Sequence, residues 1–173
     1  MKLRRRIEPY LSRLFGYARS LTSQRADADD LFQESVLKAL RAKRVPDEKA
    51  AYRAWLFRIL RNTFIDQIRR TGGDRRKLDG EPPLEPAQVW HHDDTLINAL
   101  TVRNGMARLA PPHREIIALV DIAGFSYSET AEFLELPVGT IMSRLSRARQ
   151  ALLHTVETSN VHVLPVARTR KVK

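Results

Sequence analysis

Apolar side chains recur every three or four positions in three stretches of the first seventy residues, a pattern typical of amphipathic helices. The first stretch runs from Leu11 to Leu21. The second begins near the acidic segment "ADADD", whose carboxylates suit the positive end of a helix dipole. Pro46 interrupts the pattern, and the spacing then predicts a third, longer helix from about Lys49 to Arg70.

Residues 71–94, "TGGDRRKLDGEPPLEPAQVWHHDD", show little periodicity and are rich in proline, glycine and acidic residues, which predicts a linker. Helical spacing resumes at about Thr95. Pro111–Pro112 suits the first turn of a further helix, and Gly124 suits its end. No stretch alternates apolar and polar residues as a strand does. The chain is therefore predicted to be all-α, with two small helical domains joined by a flexible acidic linker.

The boundaries follow from these changes in pattern. They give a first domain at 1–72, a linker at 73–95, a second domain at 96–154 and a flexible basic tail at 155–173.

The end of the second domain predicts a helix-turn-helix. A short helix starting at Ser126 or Ser128 is broken by Pro137, and a longer helix follows. One face of the longer helix is apolar and is predicted to face the core: Ile141, Leu145, Ala148 and Leu152. The opposite face carries short polar residues and arginines, which suit contact with duplex DNA: Thr140, Ser143, Arg144 and Arg147. The alternative is a surface helix with solvated arginines.

The positive net charge of the chain favours binding to an anionic partner. The net charge is +10 and the isoelectric point is near 10.5. Residues 1–70 carry 17 basic and 8 acidic residues, a net charge of +9, whereas residues 71–96 carry 3 and 6, a net charge of −3. The chain has no cysteine, which excludes disulfides and cysteine zinc sites and suits the cytoplasm. No apolar run is long enough for a membrane span, and the basic start lacks the apolar core of a secretory signal.

Three segments together resemble one protein family. "LAPPHREIIALVDIAGFSYSETAEFLELPVGTIMSRLSRARQALL" resembles the promoter-binding domain of bacterial sigma factors, and "DADDLFQESVLKAL" and "YRAWLFRILRNTFIDQIRR" resemble their other essential domain. Two domains with an acidic linker between them are the layout of the extracytoplasmic-function (ECF) sigma factors of the sigma-70 family. The resemblance covers about residues 5–153.

The resemblance assigns roles to named residues. The helix bearing "DLFQES" would dock on the beta-prime subunit of core RNA polymerase through Asp30, Leu31, Phe32, Gln33 and Glu34. The third helix would contact the minus-ten promoter element through Arg58, Arg61, Asn62, Asp66, Arg69 and Arg70. The face of the last helix given above would read the minus-thirty-five element as duplex.

The segment "AKRVPDEKAAY" corresponds to the part of the family that captures a flipped base, with Lys43, Arg44, Asp47 and Glu48 as available polar residues. Tyr52 and Trp55 have the spacing of either base-stacking or core residues, and the apolar stripe favours the core for Trp55. The acidic linker either imitates RNA in the exit path of the polymerase or only sets the distance between the domains.

The resemblance implies an alternative sigma factor that binds the beta-prime and beta subunits of core polymerase and promoter DNA, under the control of an anti-sigma factor. No cofactor, metal or catalytic residue is expected, because His91 and His92 beside Asp93 and Asp94 fix no coordination geometry. The alternatives are a regulator with a receiver domain in front of the helix-turn-helix and a metal-dependent enzyme acting on nucleic acid. The absence of strand–helix alternation argues against the first, and the absence of a ligand constellation argues against the second.

Overall fold

The computed structural model describes residues 2–70 and 94–159, so the predicted linker and basic tail lie outside the described residues. The first range forms the N-terminal lobe. Its helices are α1 (Lys2–Ile7), a 3-10 turn (Glu8–Tyr10), α2 (Leu11–Leu21), α3 (Arg25–Arg41) and α4 (Lys49–Arg70). The second range forms the C-terminal lobe. Its helices are α5 (Asp94–Arg108), α6 (Pro111–Ile117), a π-helical turn (Ala118–Ile122), α7 (Tyr127–Leu134) and α8 (Val138–Ser159). The described residues contain no strand, and the all-α prediction is confirmed.

Helices α2, α3 and α4 pack around one apolar core in the N-terminal lobe. Its largest fully buried side chains are Tyr17, Leu31, Tyr52, Leu56, Phe57 and Leu60. Tyr52 is 2% exposed, so it is a core residue and is not available to stack on a base. Trp55 is half-buried and packs against the same cluster, as its position on the apolar stripe predicted.

The predicted apolar stripe of α8 forms the centre of the C-terminal lobe. Ile141, Leu145 and Ala148 are each at most 2% exposed, and Leu152 packs against the same cluster. They meet Ile116 and neighbouring residues of α6. This face is fully committed to packing, so the opposite face of α8 is left for solvent or a partner.

Local backbone chemistry fixes the start and the end of α7. Gly124, with φ of +74°, lets the chain leave the π-helical turn in a left-handed conformation that a side chain would disfavour. Ser126 then caps α7. Its Oγ accepts a hydrogen bond from the Glu129 amide, while the Glu129 carboxylate accepts one from the Ser126 amide. The helix ends at Glu135, which has a left-handed φ of 57°.

The two lobes are packed directly against each other, which the sequence did not predict. Phe125 of the C-terminal lobe lies between Phe57 of α4 and Phe133 of α7, with ring centroids 5.2 and 5.5 Å away at edge-on angles. Ala118, Leu119 and Ala123 belong to the same buried cluster as the core of the N-terminal lobe, as do Phe125 and Phe133. Residues far apart in the chain therefore share one continuous apolar core.

Ser126→Ala should lower the free energy of unfolding by about 1 kcal/mol, because it leaves an amide of the first turn of α7 without its acceptor. Urea titration followed by circular dichroism measures the change. Ser128→Ala is the matched control, since Ser128 is exposed and lies inside the helix beyond the cap. An equal loss in both variants would contradict the assignment of the cap to Ser126.

Candidate nucleic-acid interface

The outer face of α8 has the composition of a DNA-reading surface. Ser143 and Arg147 are exposed, and Thr140 and Arg144 are half-buried. Ser143 Oγ donates to the Thr140 carbonyl at 3.1 Å, and Arg147 Nε donates to the Ser143 carbonyl at 3.3 Å. Gly139 has open space around its Cα, so no side chain obstructs the start of the helix. The structure therefore brings the four predicted residues together on one accessible face.

Arg149 anchors this helix to the rest of the lobe, a role that the sequence analysis missed. Its Nη2 and Nε donate to the two carboxylate oxygens of Asp121 at 2.5 and 3.2 Å. Such a forked pair fixes the orientation of both groups. The two residues are 28 positions apart, so helical periodicity within α8 gives no signal for the pairing. The arginines of α8 thus divide into a structural one and two that face outward.

The six polar residues predicted on α4 are not equally available. Asn62, Arg69 and Arg70 are exposed, and Asp66 is half-buried. Arg58 is also exposed, with its guanidinium 5.7 Å from the centre of the Phe133 ring, whereas Arg61 is half-buried and bonded to the C-terminal lobe. The structure therefore leaves most of the predicted minus-ten set accessible and engages Arg61 in a contact with the C-terminal lobe.

Glu115 of α6 is the acceptor for Arg61 of α4 and Tyr17 of α2. Arg61 Nε donates to Glu115 Oε1 at 2.7 Å, and the Tyr17 hydroxyl donates to the same oxygen at 3.1 Å. Burial, reinforced by the negative charge of Glu115, raises the pKa of Tyr17 well above its ordinary value. The tyrosine is therefore a neutral donor at any physiological pH.

Glu129 of α7 forms an ion pair with a second arginine of α4. Its carboxylate pairs with Arg53 in addition to capping the amide of Ser126. The hydrogen bond from the Ser126 backbone lowers the pKa of Glu129, and the Ser126 side chain and Arg53 add to this effect. Glu129 therefore remains ionised at neutral pH and serves both the helix cap and the contact between lobes.

Four of the five residues predicted for the docking face of α3 are exposed or half-buried. Asp30 and Gln33 are exposed, and Phe32 is half-buried with its ring edge-on to Phe15. Glu34 accepts hydrogen bonds from Lys38 at 2.8 Å and Gln67 at 3.0 Å. The Lys38 contact is the main cause of a lowered pKa at Glu34.

Leu31 is a correction to that face. It is 0% exposed and lies in the core of the N-terminal lobe, so it stabilises the lobe and does not belong to a docking surface. Leu37 was missed instead. It is 49% exposed, and it follows Gln33 by four positions, which places it on the same side of α3. Extending the helical spacing of the polar residues by one turn would have predicted Leu37 as part of this face.

The segment before α4 is held by contacts within the N-terminal lobe. Arg6 donates to the carbonyls of Pro46 and Asp47 at 2.8 and 3.1 Å, and Glu48 accepts from the Ala51 amide at 2.8 Å. Lys43 and Arg44 are exposed. These anchors leave the two basic side chains as the accessible polar groups at the start of the segment.

Within the described ranges, no three His, Cys, Asp or Glu residues are grouped as metal ligands would be. The His91–Asp93 cluster lies outside those ranges. No described helix is long and apolar enough to cross a membrane.

Comparison with models of protein families identifies the region to which each lobe corresponds. Residues 6–73 match sigma-70 region 2, and residues 99–152 match sigma-70 region 4. The chain belongs to the sigma-70 family. Its relatives place it in the ECF group, as the sequence motifs predicted. A receiver domain is ruled out for the N-terminal lobe, because that lobe is helical and is itself sigma region 2.

Several curated relatives are ECF RNA polymerase sigma factors. SigE of Mycolicibacterium smegmatis is 30% identical over 154 residues, covering 84% of this chain and 58% of the relative. SigC of Mycobacterium tuberculosis is 34% identical over 134 residues, covering 78% and 72%. This chain thus spans somewhat more than half the length of SigE and about three quarters of SigC.

Two solved structures share the fold of both lobes. The sigma factor RpoE of Bartonella quintana, in complex with the anti-sigma factor NepR, has a TM-score of 0.67 and 31% identity, covering 90% of this chain and 97% of that chain. CnrH in complex with the cytosolic domain of CnrY has a TM-score of 0.62 and 25% identity, covering 90% and 88%. The high coverage shows that both lobes, and not one alone, are similar to these proteins.

Proposed function

We propose that this chain is an alternative sigma factor, which binds core RNA polymerase and directs it to promoters. The observation that carries the proposal is the presence of regions 2 and 4 in one chain, each with an accessible polar face. Relatives named as ECF RNA polymerase sigma factors support it. The chain would act in the cytoplasm as a binding factor, and the chemistry of transcription would belong to the polymerase.

The C-terminal lobe would read the minus-thirty-five element. The outer face of α8 offers two arginines for guanine edges or phosphates, next to short hydroxyl side chains that allow close approach. The buried stripe and the Asp121–Arg149 pair hold the helix in place, so these arginines extend from a rigid support. This combination supports direct reading of duplex DNA.

The N-terminal lobe would bind the polymerase and the minus-ten element. Asp30, Gln33 and Glu34 lie beside the exposed Leu37 on α3, which is the mixture of polar and apolar groups typical of a protein-docking face. The polar residues of α4 would hold the promoter strand through phosphate contacts, with Asn62 available to a base edge.

An anti-sigma factor would control this chain. RpoE of Bartonella quintana was solved in complex with the anti-sigma factor NepR. The structural similarity covers 90% of this chain and 97% of that chain, which supports the proposal.

Changing Gln33 and Glu34 together, as Gln33→Ala and Glu34→Gln, should impair binding to core polymerase while leaving the helical circular dichroism spectrum intact. The exposed ion pair of Glu34 with Lys38 contributes little to folding, so the loss would report on docking. Titration of core with labelled protein and promoter-directed transcription are the measurements. Glu8→Gln with Gln24→Ala removes the same residue types from exposed positions of the same lobe and is the matched control. Undiminished core binding by the docking variant would place the docking face elsewhere, and a wild-type chain that neither binds core nor starts transcripts at defined positions would overturn the proposed function.

Arg144→Ala and Arg147→Ala should each weaken binding to a minus-thirty-five duplex by about 1–3 kcal/mol and relax the sequence preference at the contacted position. Binding to a set of single-base promoter variants measures both effects. Arg108→Ala removes the same charge from an exposed position on α5 and should leave the sequence preference unchanged. Unaltered promoter choice in both α8 variants would count against this helix as the reader.

A further inference from the structure

A cavity of about 280 Å³ lies where α2 of the N-terminal lobe faces α5 and α6 of the C-terminal lobe. Its size is near the lower end of the range for small-molecule sites, roughly 300–1,000 Å³. Three arginines line it, one from each helix: Arg19 of α2, Arg103 of α5 and Arg114 of α6. No carboxylate of the described residues lines this cavity. It therefore has a positively charged wall that the proposed function does not use.

Arg114 forms the buried part of this wall. The residue is 5% exposed, and its Nη2 donates to the Leu109 carbonyl at 3.3 Å. A guanidinium carries five N–H donors, so one carbonyl leaves most of them for another acceptor. Burial of a cation is unfavourable unless an anion pairs with it. Arg114 is therefore a buried cation that forms no ion pair within the described residues.

Glu115 follows Arg114 in the sequence but does not neutralise it. The Glu115 carboxylate accepts instead from Arg61 and from the Tyr17 hydroxyl. Burial lowers the pKa of Arg114, which is the direction expected of a guanidinium without a carboxylate beside it. The charge of Arg114 is therefore available to an acceptor that enters the cavity.

Arg19 and Arg103 bring like charges from the two lobes into the same cavity. Burial lowers the pKa of Arg19, and the positive charges of Arg103 and Arg25 lower it further. Asp29 opposes this shift with the smallest of the four effects, and it lies 3.9 Å from Arg25. Among the described residues, neither Arg19 nor Arg103 forms an ion pair. A bound anion would neutralise charges that otherwise repel each other.

The rest of the wall supplies hydroxyl and apolar groups. Ser20 Oγ and Thr22 Oγ1 donate to carbonyls of α2 at 2.6 and 3.0 Å, so their protons are already used and the arginines are the donors that remain. Val102, Met106 and Ile122 add apolar surface. A positive part beside an apolar part is the combination that a small organic anion requires.

A phosphoryl group suits three arginines better than a carboxylate does. A carboxylate has two oxygens, whereas a phosphate ester presents three acceptor oxygens and carries between about 1.5 and 2 negative charges at pH 7. Guanidinium groups bind phosphate through short, charge-assisted hydrogen bonds. Arginines from three different helices can therefore each donate to a different phosphoryl oxygen.

We propose that this cavity binds a small phosphate ester, whose phosphoryl group is held by the three arginines and whose compact apolar part lies against Val102, Met106 and Ile122. The site goes beyond the proposed function and does not rest on it. Because Arg114 is 5% exposed, the backbone phosphates of a duplex do not reach it, which separates this site from the surfaces proposed to bind DNA.

Phenyl phosphate is the probe that tests the site, because it joins a phosphoryl group to a compact apolar ring. Isothermal titration of the full chain, at fixed ionic strength and without sulfate, measures its dissociation constant. Phenyl phosphate should bind about tenfold more tightly than inorganic phosphate, which lacks the ring, or benzoate, which lacks the phosphoryl group. Equal binding of inorganic phosphate would overturn the apolar part of the site, and equal binding of benzoate would overturn the choice of phosphate. Absence of phenyl phosphate binding at millimolar concentration would overturn the site itself.

Arg19→Gln with Arg103→Gln should weaken the binding of phenyl phosphate by about tenfold or more, because two of the three charged donors are lost. Circular dichroism checks that the helical content is unchanged. Arg13→Gln with Arg108→Gln is the matched control, since it removes one exposed arginine from each of the same two helices outside the cavity. An equal loss of affinity in both double variants would show that binding follows net charge alone and would overturn the site.

A second control separates the cavity from the DNA-reading face of α8. Arg144→Gln with Arg147→Gln should leave the binding of phenyl phosphate unchanged. A loss in this variant, with binding retained by the Arg19 and Arg103 variant, would place the anion on the outer face of α8 and overturn the proposal. Because the titration contains neither polymerase nor DNA, failure of the cavity to bind leaves the proposed function standing, and failure to start transcription leaves the cavity site standing.

The melting temperature of the ligand-free chain gives an independent measurement. Arg103→Gln should raise it by about 1–2 °C, because the repulsion between Arg103 and Arg19 is removed. Arg108→Gln changes an exposed arginine of the same helix outside the cavity and should cause no such rise. A lower melting temperature for Arg103→Gln would show that this arginine is already paired in the free chain, which contradicts an uncompensated charge in the cavity.

Discussion

The burial of Phe125 between Phe57 and Phe133 is the contact on which the arrangement of the two lobes depends. The Phe125 ring enters the shared core together with other buried residues of the C-terminal lobe, such as Leu119 and Phe133. The charged contacts surround that ring and fix its position. Arg53 lies over Phe125 and pairs with Glu129, and Glu129 in turn caps α7. The helix cap, the ion pair and the buried ring are therefore linked through Arg53 and Glu129.

This arrangement gives α4 two tasks. Its buried stripe holds the N-terminal lobe together, and its polar face is divided between solvent and the C-terminal lobe. The arginines that suit a phosphate also suit a carboxylate, and Glu115 supplies one within the chain itself. Arg61 is therefore shared between a contact within the chain and the proposed contact with the promoter. The interface between the lobes and the outer face of α8 lie on separate surfaces, so the packing of the lobes leaves that face accessible.

Local structure was predictable from the sequence where periodicity and caps determine it. The spacing of apolar residues predicted α4 from Lys49 to Arg70 and the buried face of α8, since both depend on contacts within one lobe. Leu31 was misassigned because a motif position says nothing about which side of the helix is buried. The pairing of Arg61 with Glu115 and the insertion of Phe125 join residues more than fifty positions apart, and no local pattern encodes such a contact.

The most direct test of the account is the distance between the lobes in the free protein. Ser12→Cys and Gln150→Cys place one dye on an exposed position of each lobe of an otherwise cysteine-free chain. Single-molecule energy transfer should show one short, narrow distance in the free protein, because the two lobes share one apolar core. A long or broad distance would contradict the packing of the lobes around Phe125.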